Sequence, residues 1–115
     1  PKSFFLWNFI GAINQGLHEL EKAEKGFRKA SALNPLYPDS LNNLGVTLKD
    51  QGKFIEAIDS FKKAISLKPD YAEAYNNMAN ALQEQDKLKD SIKTYKKAIS
   101  IKPDYLEAYN NMANA

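Results

Sequence analysis

The chain has 115 residues, 26% of them charged and 43% apolar, with a formal net charge of +2. That composition suits one folded domain and excludes intrinsic disorder. A near-neutral balance with Arg28 as the only arginine argues against nucleic acid or a membrane as partner, and the absence of cysteine excludes disulfides, thiolate metal sites and cysteine nucleophiles.

The first element begins at the apolar run Phe4-Phe5-Leu6-Trp7-Asn8-Phe9-Ile10. With Lys2 before it, the run invites comparison with a signal peptide. Gly11 and Ala12 continue it in a pattern that recurs downstream, so a helix over 4–16 with a buried face is the expectation. The chain starts at Pro1 rather than Met and is expected to be a piece of a longer protein. No apolar run approaches the ~18 residues needed to cross a bilayer, and a cytoplasmic setting is expected. A second helix over 20–33 carries Phe27 and Ala30 and is followed by Pro35.

The third element, 38–50, places Leu41, Leu44, Gly45 and Leu48 on one helix face. The fourth, 54–67, does the same with Phe54, Ala57, Ile58, Phe61, Ala64 and Ile65. Gly52 permits the turn between them, and Pro69 stops the fourth helix, because a residue before proline is pushed out of the α region. Asp70 with Glu73, and Asp104 with Glu107, have the three-residue spacing of a capping box at the next helix starts. Helices over 72–84, 88–101 and 106–115 complete the series.

Self-comparison explains the regularity. Lys68-Pro69-Asp70-Tyr71 returns as Lys102-Pro103-Asp104-Tyr105, and Asn76-Asn77-Met78-Ala79-Asn80 as Asn110-Asn111-Met112-Ala113-Asn114. Each shift is 34 residues, the length of a helix–turn–helix repeat, and a fainter copy relates Phe27 to Phe61 and Pro35 to Pro69. Gly11, Gly45, Ala79 and Ala113 share one position, and Ala23, Ala57 and Ser91 another; small residues there let helices approach closely. Trp7, Leu41, Tyr75 and Tyr109 fill the adjoining gaps.

The series Leu41, Leu44, Gly45, Leu48, Ala57, Phe61, Ala64, Pro69, repeated as Tyr75, Met78, Ala79, Leu82, Ser91, Tyr95, Ala98, Pro103 and foreshadowed from Trp7 to Pro35, resembles the tetratricopeptide repeat. Asn14 and Ser91 depart from its pattern. The resemblance implies an all-α fold: a right-handed α-α superhelix of three helix pairs (units 4–37, 38–71 and 72–105) plus one extra C-terminal helix in a partial unit, 106–115. It also implies an interaction module rather than an enzyme. His18, the only histidine, has no nearby serine, aspartate or metal partner, and no phosphate loop, dinucleotide fingerprint or metal-ligand cluster occurs. No cofactor is expected.

Stacked repeats put the first helix of each unit inside the curve. On that side the sequence places Asn8 in the first unit and Asn42, Asn43, Val46 and Lys49 in the second. Asn76, Asn77, Asn80, Gln83 and Glu84 follow in the third, and Asn110, Asn111 and Asn114 in the fourth. Asparagine is a poor helix-interior residue, so paired asparagines need a reason. One is recognition: a carboxamide both donates and accepts, and a row of them can hold an extended peptide backbone. The other is duplication of a motif whose amides are solvated or bond between helices. The repeats of O-linked N-acetylglucosamine transferase carry a similar row, with Asn43, Asn77 and Asn111 at matching positions and Phe9 departing. A chaperone-tail carboxylate clamp is built of basic residues and asparagine; at the matching positions this chain has Phe5, Phe9, Asn43, Asn80 and Glu84, of which only Asn43 fits, and Glu84 would repel a carboxylate.

The partner expected is therefore a protein or peptide. Neither end carries a polar cap, so either the parent chain continues or copies associate end to end as a homo-oligomer. The alternative to a free-standing scaffold is the recruiting arm of a larger glycosyl-, sulfo- or methyltransferase. Lys62-Lys63 and Lys96-Lys97 read as a solvated outer face, and Tyr37, Tyr71 and Tyr105 as packing between units.

Overall fold

A computed structural model describes residues 3–114. It contains α1 (Phe4–Gly16), α2 (Leu20–Leu33), α3 (Pro38–Asp50), α4 (Phe54–Leu67), α5 (Ala72–Glu84), α6 (Leu88–Ile101) and α7 (Leu106–Ala113), with no strand among the described residues. The first six ranges coincide with those expected from periodicity. The seventh stops at Ala113 with Asn114 as its C-cap, and Ala115 lies outside the described residues. Helices pair as α1–α2, α3–α4 and α5–α6, with α7 on α6, in an all-α superhelix 41 × 25 × 21 Å across.

Each pair closes on an aromatic ring. Phe27, Phe61 and Tyr95, one per second helix, are fully buried, as are Ala23, Ala57 and Ser91 one turn earlier. A Cβ on Gly11 would come within 2.8 Å of Phe27, and one on Gly45 within 2.5 Å of Phe61, so glycine is what lets these rings lie on the helix backbone. Ser91 keeps to this packing because its hydroxyl donates to the Ala79 carbonyl at 2.9 Å. Asn14 fits similarly, donating back to Ile10 O at 2.9 Å.

The turns repeat too. His18, Gly52 and Asp86, spaced by the repeat, all have positive φ, at 60°, 79° and 62°. In each, the next amide reaches back to a carbonyl in the last turn: Glu19 to Asn14, Lys53 to Leu48 and Lys87 to Leu82, at 2.8–3.0 Å. This is the left-handed helix stop that glycine fits best. The capping boxes do not form. Tyr71 and Tyr105, not Asp70 and Asp104, are the N-caps of α5 and α7, and neither helix start has a side-chain cap bond. Each aspartate lies one residue too early to reach the free amides.

Candidate functional site: the inner face

The first helices of successive units touch one another, α1 with α3 and α3 with α5, and so line the inside of the curve. The amide row runs along them, and its members fall into three groups.

Asn42 and Asn76 are not surface amides. They are 6% and 0% exposed, wedged where one first helix meets the next. Each accepts a bond from the following unit: Asn77 Nδ2 donates to Asn42 Oδ1 at 3.1 Å, and Asn111 Nδ2 to Asn76 Oδ1 at 3.3 Å. Asn43 does not make the matching bond to Asn8, whose Oδ1 is buried without a partner. The second group is tied to a second helix: Asn80 and Gln83 turn their carboxamide oxygens to the Tyr95 hydroxyl, which lies 2.9 Å from Gln83 Oε1. Gln83 also donates to Asn114 O at 3.2 Å. The third group is open. Asn43 and Val46 are half-buried, Asn110, Asn114 and Glu84 are exposed, and Lys49 stands 3.9 Å from Asp50. Asn110 shares the repeat position of Asn42 and Asn76 and is exposed because no further helix covers it among the described residues.

A feature outside the amide row emerges at the starts of the first helices. Tyr71 is buried, and its hydroxyl donates to Asp39 Oδ1 of the preceding unit at 2.7 Å. Burial, reinforced by Asp39 and Glu73, pushes the Tyr71 hydroxyl pKa well up. Burial, with Glu107 and Glu73 beside it, pushes Tyr105 up to about 12. Asp39, Glu73 and Glu107 therefore alternate with Tyr37, Tyr71 and Tyr105 along one rim. No motif search reveals this strip, but adding charges by position within the 34-residue period does. The sequence reading also missed Glu24, which joins two units by accepting from Arg28 Nε (2.8 Å), Gln51 Nε2 (3.0 Å) and Lys53 Nζ (3.1 Å).

Among the described residues no group of acids and histidine is placed to hold a metal, and no helix is long and apolar enough to cross a membrane. His18 sits exposed in the first turn.

Family models of the tetratricopeptide repeat match residues 27–59, 47–86 and 72–105. With the stacked helix pairs, these matches define the class: the chain is made of tetratricopeptide repeats. Similar solved structures have the same fold. The first such domain of Spaghetti (RPAP3), bound to the HSP90 peptide SRMEEVD, superposes with TM-score 0.93 at 20% identity, over 97% of this chain and 89% of that one. The Arabidopsis OM64 domain gives 0.94 at 16% identity, over 97% and 93%. YrrB, described as having an unusual peptide-binding site, gives 0.90 at 22% identity, over 94% of this chain and 56% of its own. Among curated proteins, no sequence match was found.

Proposed function

We propose that the chain is an interaction scaffold that holds an extended peptide or partner segment against the inner face of its first helices. The observation that carries this is the carboxamide left over once the stack is built. Asn43 makes no side-chain hydrogen bond and stays half-open on the same face as the bonded amides. Carboxamides in mid-helix without a structural partner are costly to helix formation and suited to a peptide backbone. The similar folds described with a bound peptide or a peptide-binding site support the reading, as does the resemblance of Asn43, Asn77 and Asn111 to the ladder of the glycosyltransferase repeats. The bonded amides Asn77 and Asn111 retain exposure and serve this surface in part.

The test separates recognition from stacking. Asn43→Ala/Asn110→Ala leaves the inter-unit bonds intact and should weaken binding on a peptide array without lowering the melting temperature. Undiminished binding by that variant would remove the amide row from the function.

A second reading, self-association, rests on α1. Phe5, Leu6, Phe9, Ile13 and Leu17 are 47–68% exposed, and α1 carries no charge. Head-to-tail stacking suits it poorly. Leu6 stands where Ser40, Ala74 and Ala108 fit fully buried against the preceding unit, and Ile13 where Thr47 and Ala81 do. Leu6, Ile10, Ile13 and Leu17 have instead the 4-3-4 spacing of a coiled-coil seam, which favours two-fold pairing of α1 with α1. Light scattering over a concentration series checks it: Leu6→Ser/Ile13→Thr should abolish a dimer, and a monomer at every concentration would end this reading.

A further inference from the structure

The net charge of +2 conceals a separation of sign. The first helices, α1, α3, α5 and α7, hold Asp39, Asp50, Glu73, Glu84 and Glu107 against one cation, Lys49. The second helices hold the opposite excess: α2 and α6 alone carry eight lysines and arginine against three carboxylates. The turns, with Lys53, Lys68, Lys87 and Lys102 against Glu19, Asp70, Asp86 and Asp104, are neutral. The first helices are thus net −4, and the second helices carry the compensating cations.

Helix chemistry explains only part of this. Asp39, Glu73 and Glu107 sit in first turns, where the helix dipole favours an acid. Asp50 and Glu84 are the last residues of α3 and α5, where the dipole disfavours one. These two line a shallow cleft with Lys49, Gly52 and Phe54 on the opposite rim from the tyrosine–carboxylate strip. Carboxylates therefore border both rims, with the amides between them. Among the described residues Glu73, Glu84 and Glu107 form no ion pair. At the α1 end the lining changes to Phe5 and Phe9, 64% and 63% exposed and uncharged.

We infer that the inner groove selects an extended segment rich in lysine or arginine, with its basic side chains on the carboxylate rims of α3, α5 and α7 and an apolar side chain against Phe5 and Phe9. The inference rests on the groove reading above and narrows it to one partner chemistry. It separates this chain from the similar domain bound to SRMEEVD, a peptide ending in acidic residues. Lys68 and Lys102 already lie over the Tyr71 and Tyr105 rings, 4.7 Å from their centres, so the rim binds cationic groups within the chain itself.

The experiment uses the whole chain and fluorescence anisotropy with three labelled twelve-residue peptides of equal apolar content: lysine/arginine-rich, neutral, and glutamate-rich. The basic peptide should bind at least ~10-fold tighter than the acidic one at low salt, and lose most of that margin at high salt. Glu73→Gln/Glu84→Gln/Glu107→Gln should weaken the basic peptide ~5–10-fold, the scale of two or three exposed ion pairs, while the chain stays folded at the assay temperature, the small loss at the two helix starts being partly offset at the end of α5. Equal or tighter binding of the acidic peptide would overturn the inference. So would a basic peptide indifferent to salt and to the triple variant; if Asn43→Ala/Asn110→Ala still reduced that binding, the groove reading would survive alone. Failure of all three peptides to bind would remove the groove reading, and this inference with it.

Discussion

Gly45→Ala should destabilise the fold although alanine is the better helix former. The added methyl would sit 2.5 Å from Phe61 Cε1, 2.7 Å from Cδ1 and 2.8 Å from Cζ. Phe61 is fully buried in the cluster containing Leu44, Leu48, Ala57 and Met78, so the ring has no free direction in which to swing. Overpacking of this kind costs about 1–3 kcal/mol, and alanine returns about 1 kcal/mol in helix propensity. With three ring atoms inside contact distance the cost should lie at ~2–3 kcal/mol, leaving ~1–2 kcal/mol of lost stability and lowering the urea midpoint by roughly 0.5–1 M. Gly16→Ala is the control: nothing lies within 4 Å of its Cβ, and it should gain ~0.5–1 kcal/mol. The third unit holds Ala79 at the equivalent place, opposite Tyr95, so a stack can be built around a methyl. If Gly45→Ala raised the midpoint as Gly16→Ala does, the ring would be free to adjust and close approach would not be the reason for glycine here.

The other predictions concern bonds between units and the turns. Asn77→Ala strands the buried Asn42 oxygen and should cost about 1–3 kcal/mol in thermal or urea unfolding, whereas Asn43→Ala should stay within ~0.5 kcal/mol. Asp86→Gly relieves a left-handed non-glycine residue and should stabilise by ~1 kcal/mol, read as a raised melting temperature. Burial raises the Glu24 pKa, but Arg28, Gln51 and Lys53 outweigh it and hold it at about 2, below its ordinary 4.5. Its stabilisation is therefore complete above ~pH 4.5 and lost as the pH falls towards 2; with Arg28 and Lys53 about half exposed, it amounts to ~1–2 kcal/mol. Glu24→Gln should flatten the acid limb of the stability profile.

The helices were legible because two independent signals, apolar spacing and the 34-residue echo, mark the same boundaries. Pro69 and Gly52 end elements for reasons internal to the backbone, so their reading needed no tertiary knowledge. The capping boxes failed for the converse reason: Asp70 and Glu73 have the right separation, but the Lys-Pro-Asp-Tyr turn places Tyr71 at the cap. The amide row was legible as a row but not by occupancy. Which carboxamide of a pair is buried depends on how far α5 slides along α3, and no spacing within one helix encodes that offset.

That offset gives each asparagine pair two tasks. Asn42 accepts from Asn77 and Asn76 from Asn111, the first member of one pair from the second member of the next, so each bond ties together neighbouring helices of the inner face. A peptide that bonds Asn77 or Asn111 must share a carboxamide already engaged in stacking, while one that bonds Asn43 need not. Backbone recognition should therefore fall first on Asn43, whose carboxamide the stack leaves unused, with charge on the rims holding the rest of the ligand. A row of identical residues then reads its ligand unevenly, because the stack that positions the amides also uses them.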